Sequence, residues 1–194
     1  MLTRAITGLL FILTIMAGVY FNSIITLFLF TLIIILGIDE FYGLVKKSKT
    51  IQPIKFWGIL TGLVSIITIG LIIFNMVPFK IIFIPILMIF IIFLVELYRK
   101  KENPFINIAY TILGLIYIVI PFAMLFHLGF YSNNNFNENY SFQIILGFFL
   151  MLWTNDTGAY LAGRFFGKHK LFERISPKKT WEGSLGGGLL TIGV

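Results

Sequence analysis

Six long runs of apolar residues, separated by short polar segments, constrain this chain more than any other feature of its sequence. The runs cover residues 5–21, 24–38, 56–74, 81–97, 106–128 and 141–163. Each lies near the length of about 17–25 residues that a helix needs to cross a bilayer, although the second is short. Only 12% of the residues are charged and 58% are hydrophobic, which a soluble domain of 194 residues would not show. The sequence therefore predicts an all-α, polytopic integral membrane protein with six complete transmembrane helices.

A seventh apolar run begins at Ser184 and continues to Val194. As a helix, these residues would rise about 16 Å, roughly half of the hydrocarbon thickness. We therefore expect a seventh transmembrane helix that is cut short, in a chain truncated at its C-terminus.

The lysines and arginines predict the orientation of these helices. Consecutive segments between the runs alternate between the two sides of the membrane. Fourteen of the fifteen lysines and arginines then fall on one side, and Lys80 falls on the other. The positive-inside rule assigns the crowded side, and with it the N-terminus, to the cytosol. The net charge of +7 is thus better explained by membrane orientation than by binding to nucleic acid. The chain has no cysteine, which excludes disulfides and thiolate metal sites.

The sixth run contains the most unusual polar residue of the chain. Asp156 lies about 22 Å into the bilayer from the outer face, at a rise of 1.5 Å per residue. A carboxylate at that depth is costly and usually functional, although a structural role in helix packing is the alternative. Small residues surround it at i, i+4 spacing, which favours close packing between helices. They are Thr154, Gly158 and Ala162 on one face, and Asn155, Ala159 and Gly163 on the next.

A basic loop follows, and it contains the stretch SPKKTWEG at residues 176–183. Ser176 followed by Pro177 predicts the start of a helix, whose free amides would form an anion site beside Lys178 and Lys179. Glu182 would either pair with Lys178 or bind a metal ion. An acid near a phosphate site suggests phosphoryl or nucleotidyl transfer assisted by Mg²⁺, on an amphiphile whose headgroup lies at the interface.

Other titratable residues have simpler interpretations. Asp39 and Glu40 end the second run, and we interpret them as a solvated helix end rather than as part of the same site. Glu96 lies near the end of the fourth run beside Arg99 and Lys100, and a local ion pair is expected rather than a functional role. His169 is expected to be a further solvated cation in the basic loop.

Residues 153–187 resemble the bacterial phosphatidate cytidylyltransferases, also called CDP-diacylglycerol synthases. The resemblance rests on DTGAY at 156–160, GRFFGK at 163–168 and, most specifically, SPKKTWEG at 176–183. It implies an integral membrane nucleotidyltransferase that uses Mg²⁺ to transfer CMP from CTP to phosphatidic acid. The products would be CDP-diacylglycerol and pyrophosphate. Residues 1–130 would then form N-terminal transmembrane helices, and residues 131–194 would begin an incomplete catalytic region.

The resemblance also implies the roles of particular residues. Asp156 would hold the metal and act in catalysis together with Lys178 and Lys179. The substrates would be bound by a larger set: Arg164, Lys168, Ser176, Lys178, Lys179, Thr180 and Glu182. Within this set, Glu182 would support the metal or order the lysines. The expected partners are CTP and the membrane lipid phosphatidic acid, with a homodimer left open, and the expected location is the inner (cytoplasmic) membrane with the site facing the cytosol.

Members of the family continue into an acidic C-terminal signature that this chain lacks, so we expect the chain by itself to be inactive. A CTP-dependent polyprenol or phytol kinase is the nearest alternative, and the complete SPKKTWEG stretch argues against it. An ion-coupled transporter that uses Asp156 would show repeated, interrupted spans, and the sequence has none.

Overall fold

A computed structural model describes residues 2–132, 135–136 and 139–194. Helices account for most of it, and they follow the apolar runs closely. The α-helices are α1 Leu2–Phe21, α2 Ser23–Lys46, α3 Lys55–Ile73, α4 Phe83–Arg99, α5 Pro104–Gly114, α6 Ile120–Leu128, α7 Phe142–Phe166 and α8 Trp181–Ile192. A 3₁₀ turn at Phe79–Ile82 precedes α4, and a π-helical turn at Leu115–Val119 joins α5 to α6.

Within the described residues, five helical segments are long and apolar enough to cross a membrane. They are Ser23–Lys46, Lys55–Ile73, Phe79–Arg99, Pro104–Leu128 and Phe142–Phe166. The first run forms a shorter apolar helix over Ile6–Phe21. A helical membrane protein is therefore confirmed as the fold class, whereas the six spans and the cytosolic N-terminus stay predictions.

Two short antiparallel hairpins interrupt the helical pattern, and the sequence did not predict them. Strands β1 Tyr131–Ser132 and β2 Asn135–Phe136 pair with each other, as do β3 Lys170–Phe172 and β4 Ser176–Thr180. The all-α prediction is thus corrected in two polar segments. The chain consists of two compact units, Met1–Phe142 and Gln143–Val194.

The first unit begins with a helical hairpin whose bend is set by Asn22. This residue has an extended backbone, and its side chain accepts a hydrogen bond from the N–H of Ile25 at 2.8 Å, which caps α2. Thr26 then donates to the carbonyl of Gly18 in α1 at 3.2 Å, so the two helices pack against each other. A buried stripe continues along α2 at four-residue spacing: Phe30, Ile34, Ile38 and Tyr42.

Polar groups inside this unit are paired with one another. Glu96 is almost fully buried; it lies 2.6 Å from Arg99 and accepts a hydrogen bond from Asn107 at 2.6 Å. The predicted ion pair is therefore confirmed, and it neutralises the buried carboxylate. Asp39 lies 2.6 Å from Lys55, and both side chains are about half exposed.

Thr111 anchors the segment between α2 and α3. Its hydroxyl accepts a hydrogen bond from the buried N–H of Ile54 at 2.8 Å, and its carbonyl accepts one from Tyr42 at 2.6 Å. These bonds hold the start of α3 against α5 and the end of α2.

Thr111→Val should lower the free energy of unfolding by about 1–3 kcal/mol, because it leaves the N–H of Ile54 buried without an acceptor. The thermal unfolding midpoint in detergent micelles would measure this loss. Thr31→Val is the matched control, since the hydrogen bond that the structure describes for the Thr31 hydroxyl goes to the carbonyl of Leu27 in the same helix. Equal midpoints for the two variants would contradict the anchoring role.

Candidate active site

In the second unit, α7 and α8 approach each other through small residues. A Cβ atom added to Gly183 would lie 2.9 Å from the carbonyl oxygen of Ala159, and one added to Gly187 would lie 2.7 Å from that of Asn155. Only glycine fits at such distances from a neighbouring backbone. The close packing predicted from the i, i+4 spacing is therefore confirmed, and it places the start of α8 against the middle of α7.

The helix start predicted at Ser176 and Pro177 is wrong. Residues Ser176–Thr180 form strand β4, which pairs with β3 so that Thr180 lies opposite Lys170 and Ser176 opposite Phe172. Proline is tolerated there because a two-stranded ribbon has free edges that need no N–H donor. No helix begins at Ser176, so the predicted anion site at a helix N-terminus there is wrong as well. Lys178 and Glu182 are also not separated by one helical turn, because Lys178 lies in the strand and Glu182 in α8.

The N-cap of α8 is Thr180 instead. Its backbone is extended, and its hydroxyl oxygen accepts a hydrogen bond from the N–H of Gly183 at 3.2 Å. Thr180 is also buried, against Gly163 and Gly167 of the α7 end. The threonine thus joins the strand, the new helix and the end of α7 at a single point.

A cleft of about 670 Å³ opens beside this junction. It brings together six of the residues predicted to form the site: Asp156, Arg164, Ser176, Lys178, Lys179 and Thr180. Among the described residues that line the cleft, Asp156 is the one acid, and Arg164, Lys178 and Lys179 are the three cationic residues. The cleft is therefore suited to a ligand that carries several negative charges, with one carboxylate available to a cation.

The cleft also contains residues that the sequence analysis did not assign to the site. Tyr160 and Ser184 line it, as does Asn155. The hydroxyl of Tyr160 accepts a hydrogen bond from Nη1 of Arg164 at 3.4 Å. Asp156, Tyr160 and Arg164 follow one another at four-residue spacing on α7, and this periodicity could have identified the tyrosine.

Two predicted site residues, Lys168 and Glu182, are not among the described residues that line the cleft. Oε2 of Glu182 accepts hydrogen bonds from the backbone N–H groups of Lys168 at 3.1 Å and of His169 at 3.3 Å. Oε1 lies 2.6 Å from Nδ1 of His169. His169 is largely exposed, as expected, but it also contacts Glu182. The pair with Lys178 that the sequence suggested for Glu182 is replaced by one with His169.

Hydrogen bonding lowers the pKa of Glu182 to about 2, with the His169 side chain as the largest cause. The carboxylate is therefore ionised at any pH near neutrality. Its contribution to folding is present above its ordinary pKa and is lost only as the pH falls towards 2.

The donor set of the cleft fits a hard divalent cation only in part. No group of three or more histidine or acidic residues that could hold a metal occurs in the described part of the chain. Asp156 supplies one carboxylate, with the oxygens of Asn155 and Ser176 in the same cleft. Mg²⁺ is commonly held by one or two carboxylates together with substrate phosphates, so the residues present fit that mode of binding.

Comparison with known proteins shows the family of this chain. The Cytidylyltransferase family matches residues 2–194 of the chain. The chain belongs to that family. No solved structure gives a significant match to this chain.

Curated proteins that are similar to this chain carry the name phosphatidate cytidylyltransferase. A phosphatidate cytidylyltransferase of Staphylococcus epidermidis is 38% identical over 105 residues, which are 54% of this chain and 37% of that protein. A phosphatidate cytidylyltransferase of Staphylococcus haemolyticus is 36% identical over 105 residues, with the same shares covered. Another, from Staphylococcus aureus, is 38% identical over 100 residues, 52% of this chain and 35% of the relative. The alignments thus span little more than a third of each relative's length.

Proposed function

We propose that the full-length protein transfers CMP from CTP to phosphatidic acid, giving CDP-diacylglycerol and pyrophosphate. One observation carries the proposal: in a member of the cytidylyltransferase family, a single cleft joins Asp156 to Arg164, Lys178 and Lys179. The names of the relatives support phosphatidate as the acceptor.

In this reaction an oxygen of the lipid phosphate attacks the α-phosphorus of CTP. A new P–O bond forms, the bond from the α-phosphorus to the bridging oxygen of the β-phosphate breaks, and pyrophosphate leaves with that electron pair. Lys178, Lys179 and Arg164 would neutralise the charge on the phosphates and on the departing pyrophosphate. The hydroxyl groups of Ser176 and Thr180 would donate hydrogen bonds to phosphate oxygens. The Thr180 hydroxyl hydrogen is free to do so because the N–H of Gly183 occupies one lone pair of its oxygen.

Mg²⁺ is the proposed metal, with Asp156 as its protein ligand. When bound, it would stabilise the negative charge of the phosphate groups and help to orient them. Asp156 would keep that cation within the cleft. Its negative carboxylate would also offset part of the positive charge of the three basic side chains.

The proposed location is the inner (cytoplasmic) membrane, with the cleft on the cytosolic side. The distribution of basic residues supports this orientation. A headgroup of phosphatidic acid would then reach the cleft from the inner leaflet, while CTP would arrive from the cytosol. The homodimer that the sequence analysis left open stays untested.

Full-length protein in mixed micelles should transfer label from CTP labelled at the α-phosphate into phosphatidic acid, and no label from CTP labelled at the γ-phosphate. A CTP-dependent polyprenol or phytol kinase would give the opposite pattern with its own lipid acceptor. Transfer of the γ-label alone would therefore contradict the proposal in favour of the kinase.

Lys179→Met should lower kcat/KM for CMP transfer by about 100-fold, because it removes a cation that faces the developing charge. Lys170→Met is the matched control, since Lys170 belongs to the same hairpin but is not among the described residues that line the cleft. We expect this control to stay within about twofold of the wild type. Similar losses in both variants would remove Lys179 from the proposed site.

A further inference from the structure

The hairpin of β3 and β4 carries Lys178 and Lys179, two of the three basic residues of the cleft, but has few means of holding its own position. It is a two-stranded ribbon, and an isolated ribbon of this kind is at best marginally stable in water. Its pairing register also shifts between Lys170 and Phe172. The position of β4, and with it that of Lys178 and Lys179, therefore depends on contacts at the ends of the hairpin.

Two contacts close the open end of this hairpin. The N–H of Trp181 donates to the carbonyl oxygen of His169 at 3.0 Å, next to the pair of Lys170 and Thr180. Immediately beyond it, Glu182 binds the N–H groups of Lys168 and His169 and the His169 side chain. The first turn of α8 is thereby tied to the segment that leaves α7, across 13 and 14 residues of chain.

We propose that Glu182 is a positioning residue, which holds β4 and its two lysines in place relative to Asp156 rather than binding metal or substrate. The catalytic part of this inference rests on the proposed function. Both carboxylate oxygens of Glu182 are engaged by protein donors, so neither resembles a vacant metal ligand. In addition, the Glu182 side chain is outside the set of described residues that line the cleft.

The physical basis is that Glu182 supplies a fixed negative charge to two N–H groups that follow the last turn of α7. Charge-assisted hydrogen bonds of this kind are about twice as strong as neutral ones. Without them, the Trp181 bond and the buried Thr180 side chain are left to hold this end of the hairpin. A displacement of about 1 Å at a catalytic group lowers turnover by about 100-fold, so a loose hairpin would reduce the rate without changing metal affinity.

The test compares Glu182→Ala and Glu182→Gln in the full-length protein, with Glu173→Ala as the control. Glu173 is an exposed acid in the turn of the same hairpin. The first measurement needs no substrate: the rate at which trypsin cleaves the basic hairpin of the protein in detergent micelles. We expect cleavage about tenfold faster in Glu182→Ala, an intermediate rate in Glu182→Gln, and the wild-type rate in the control.

The second measurement is CMP transfer as a function of Mg²⁺ concentration. A positioning role predicts a lower kcat, partly rescued by glutamine, whose carbonyl still accepts from the two N–H groups, with an unchanged half-saturating Mg²⁺ concentration. A rise of about tenfold in that concentration for Glu182→Gln would make Glu182 a metal ligand and overturn the proposal. Wild-type cleavage rates in both Glu182 variants would overturn it as well.

The two measurements separate this inference from the proposed function. If the wild-type protein showed no CMP transfer, the proposed function would fail, and the cleavage rates would still decide whether Glu182 holds the hairpin. If the alanine variant failed to fold, the glutamine variant would still show the two diagnostic results, faster cleavage and an unchanged Mg²⁺ requirement.

Discussion

Asp156→Asn in the full-length protein should lower kcat for CMP transfer by about 1,000-fold, the largest effect that we expect from a single substitution. Asparagine has nearly the same size and shape, so the cleft keeps its form. However, the amide is neutral, and the described lining of the cleft would then contain cationic side chains with no carboxylate to hold a divalent cation. The assay is the transfer of α-labelled CMP to phosphatidic acid over a range of Mg²⁺ concentrations.

Asp39→Asn is the matched control for this experiment. Asp39 is also an acid near the end of an apolar run, but it pairs with Lys55, and both side chains are about half exposed. Such a pair contributes about 0–1 kcal/mol to stability, so the variant should retain nearly full activity. Near wild-type activity in Asp156→Asn, with an unaltered Mg²⁺ requirement, would remove Asp156 from the proposed metal site.

Gly183→Ala should cause the second large loss, at a site that need not touch either substrate. The added Cβ would lie 2.9 Å from the carbonyl oxygen of Ala159 and 3.2 Å from the Cα of Gly163. Both are backbone atoms, which cannot rotate away as a side chain would, so α8 must shift relative to α7. Overpacking of this kind costs about 1–3 kcal/mol of stability. The shift also moves Thr180 and β4, so activity should fall by about 100-fold.

Gly188→Ala separates packing from the general effect of an extra methyl group in α8. Nothing lies within 4 Å of a Cβ added at Gly188, so this variant should be neutral or slightly more stable, because alanine favours helix. Thermal unfolding and CMP transfer, measured for both variants, would check the prediction. If Gly183→Ala behaved like Gly188→Ala, the close approach of the two helices would not be needed for the site.

The comparison of α7 with the hairpin shows why some parts of the site could be predicted and others could not. Asp156 and Arg164 lie on one helix, where a fixed rise and rotation per residue determine their spacing. For the segment from Ser176 to Thr180, the local signal of a serine before a proline predicted a helix start at Ser176. Strand pairing opposite Lys170 and Phe172 instead keeps this segment extended, and the helix begins after Thr180.

The sequence by itself determined the helical membrane class of this protein and the cationic character of its basic segment. Long apolar stretches in lipid must satisfy their backbone groups internally, which makes them helices whatever else the chain contains. Only the tertiary structure decided which charged residues share the cleft and which hold the hairpin. The contact between Glu182 and Lys168 spans 14 residues, and it forms because the α7 end, the hairpin and α8 converge at that point. Pairings at such distance depend on the path of the whole chain, and no local pattern encodes them.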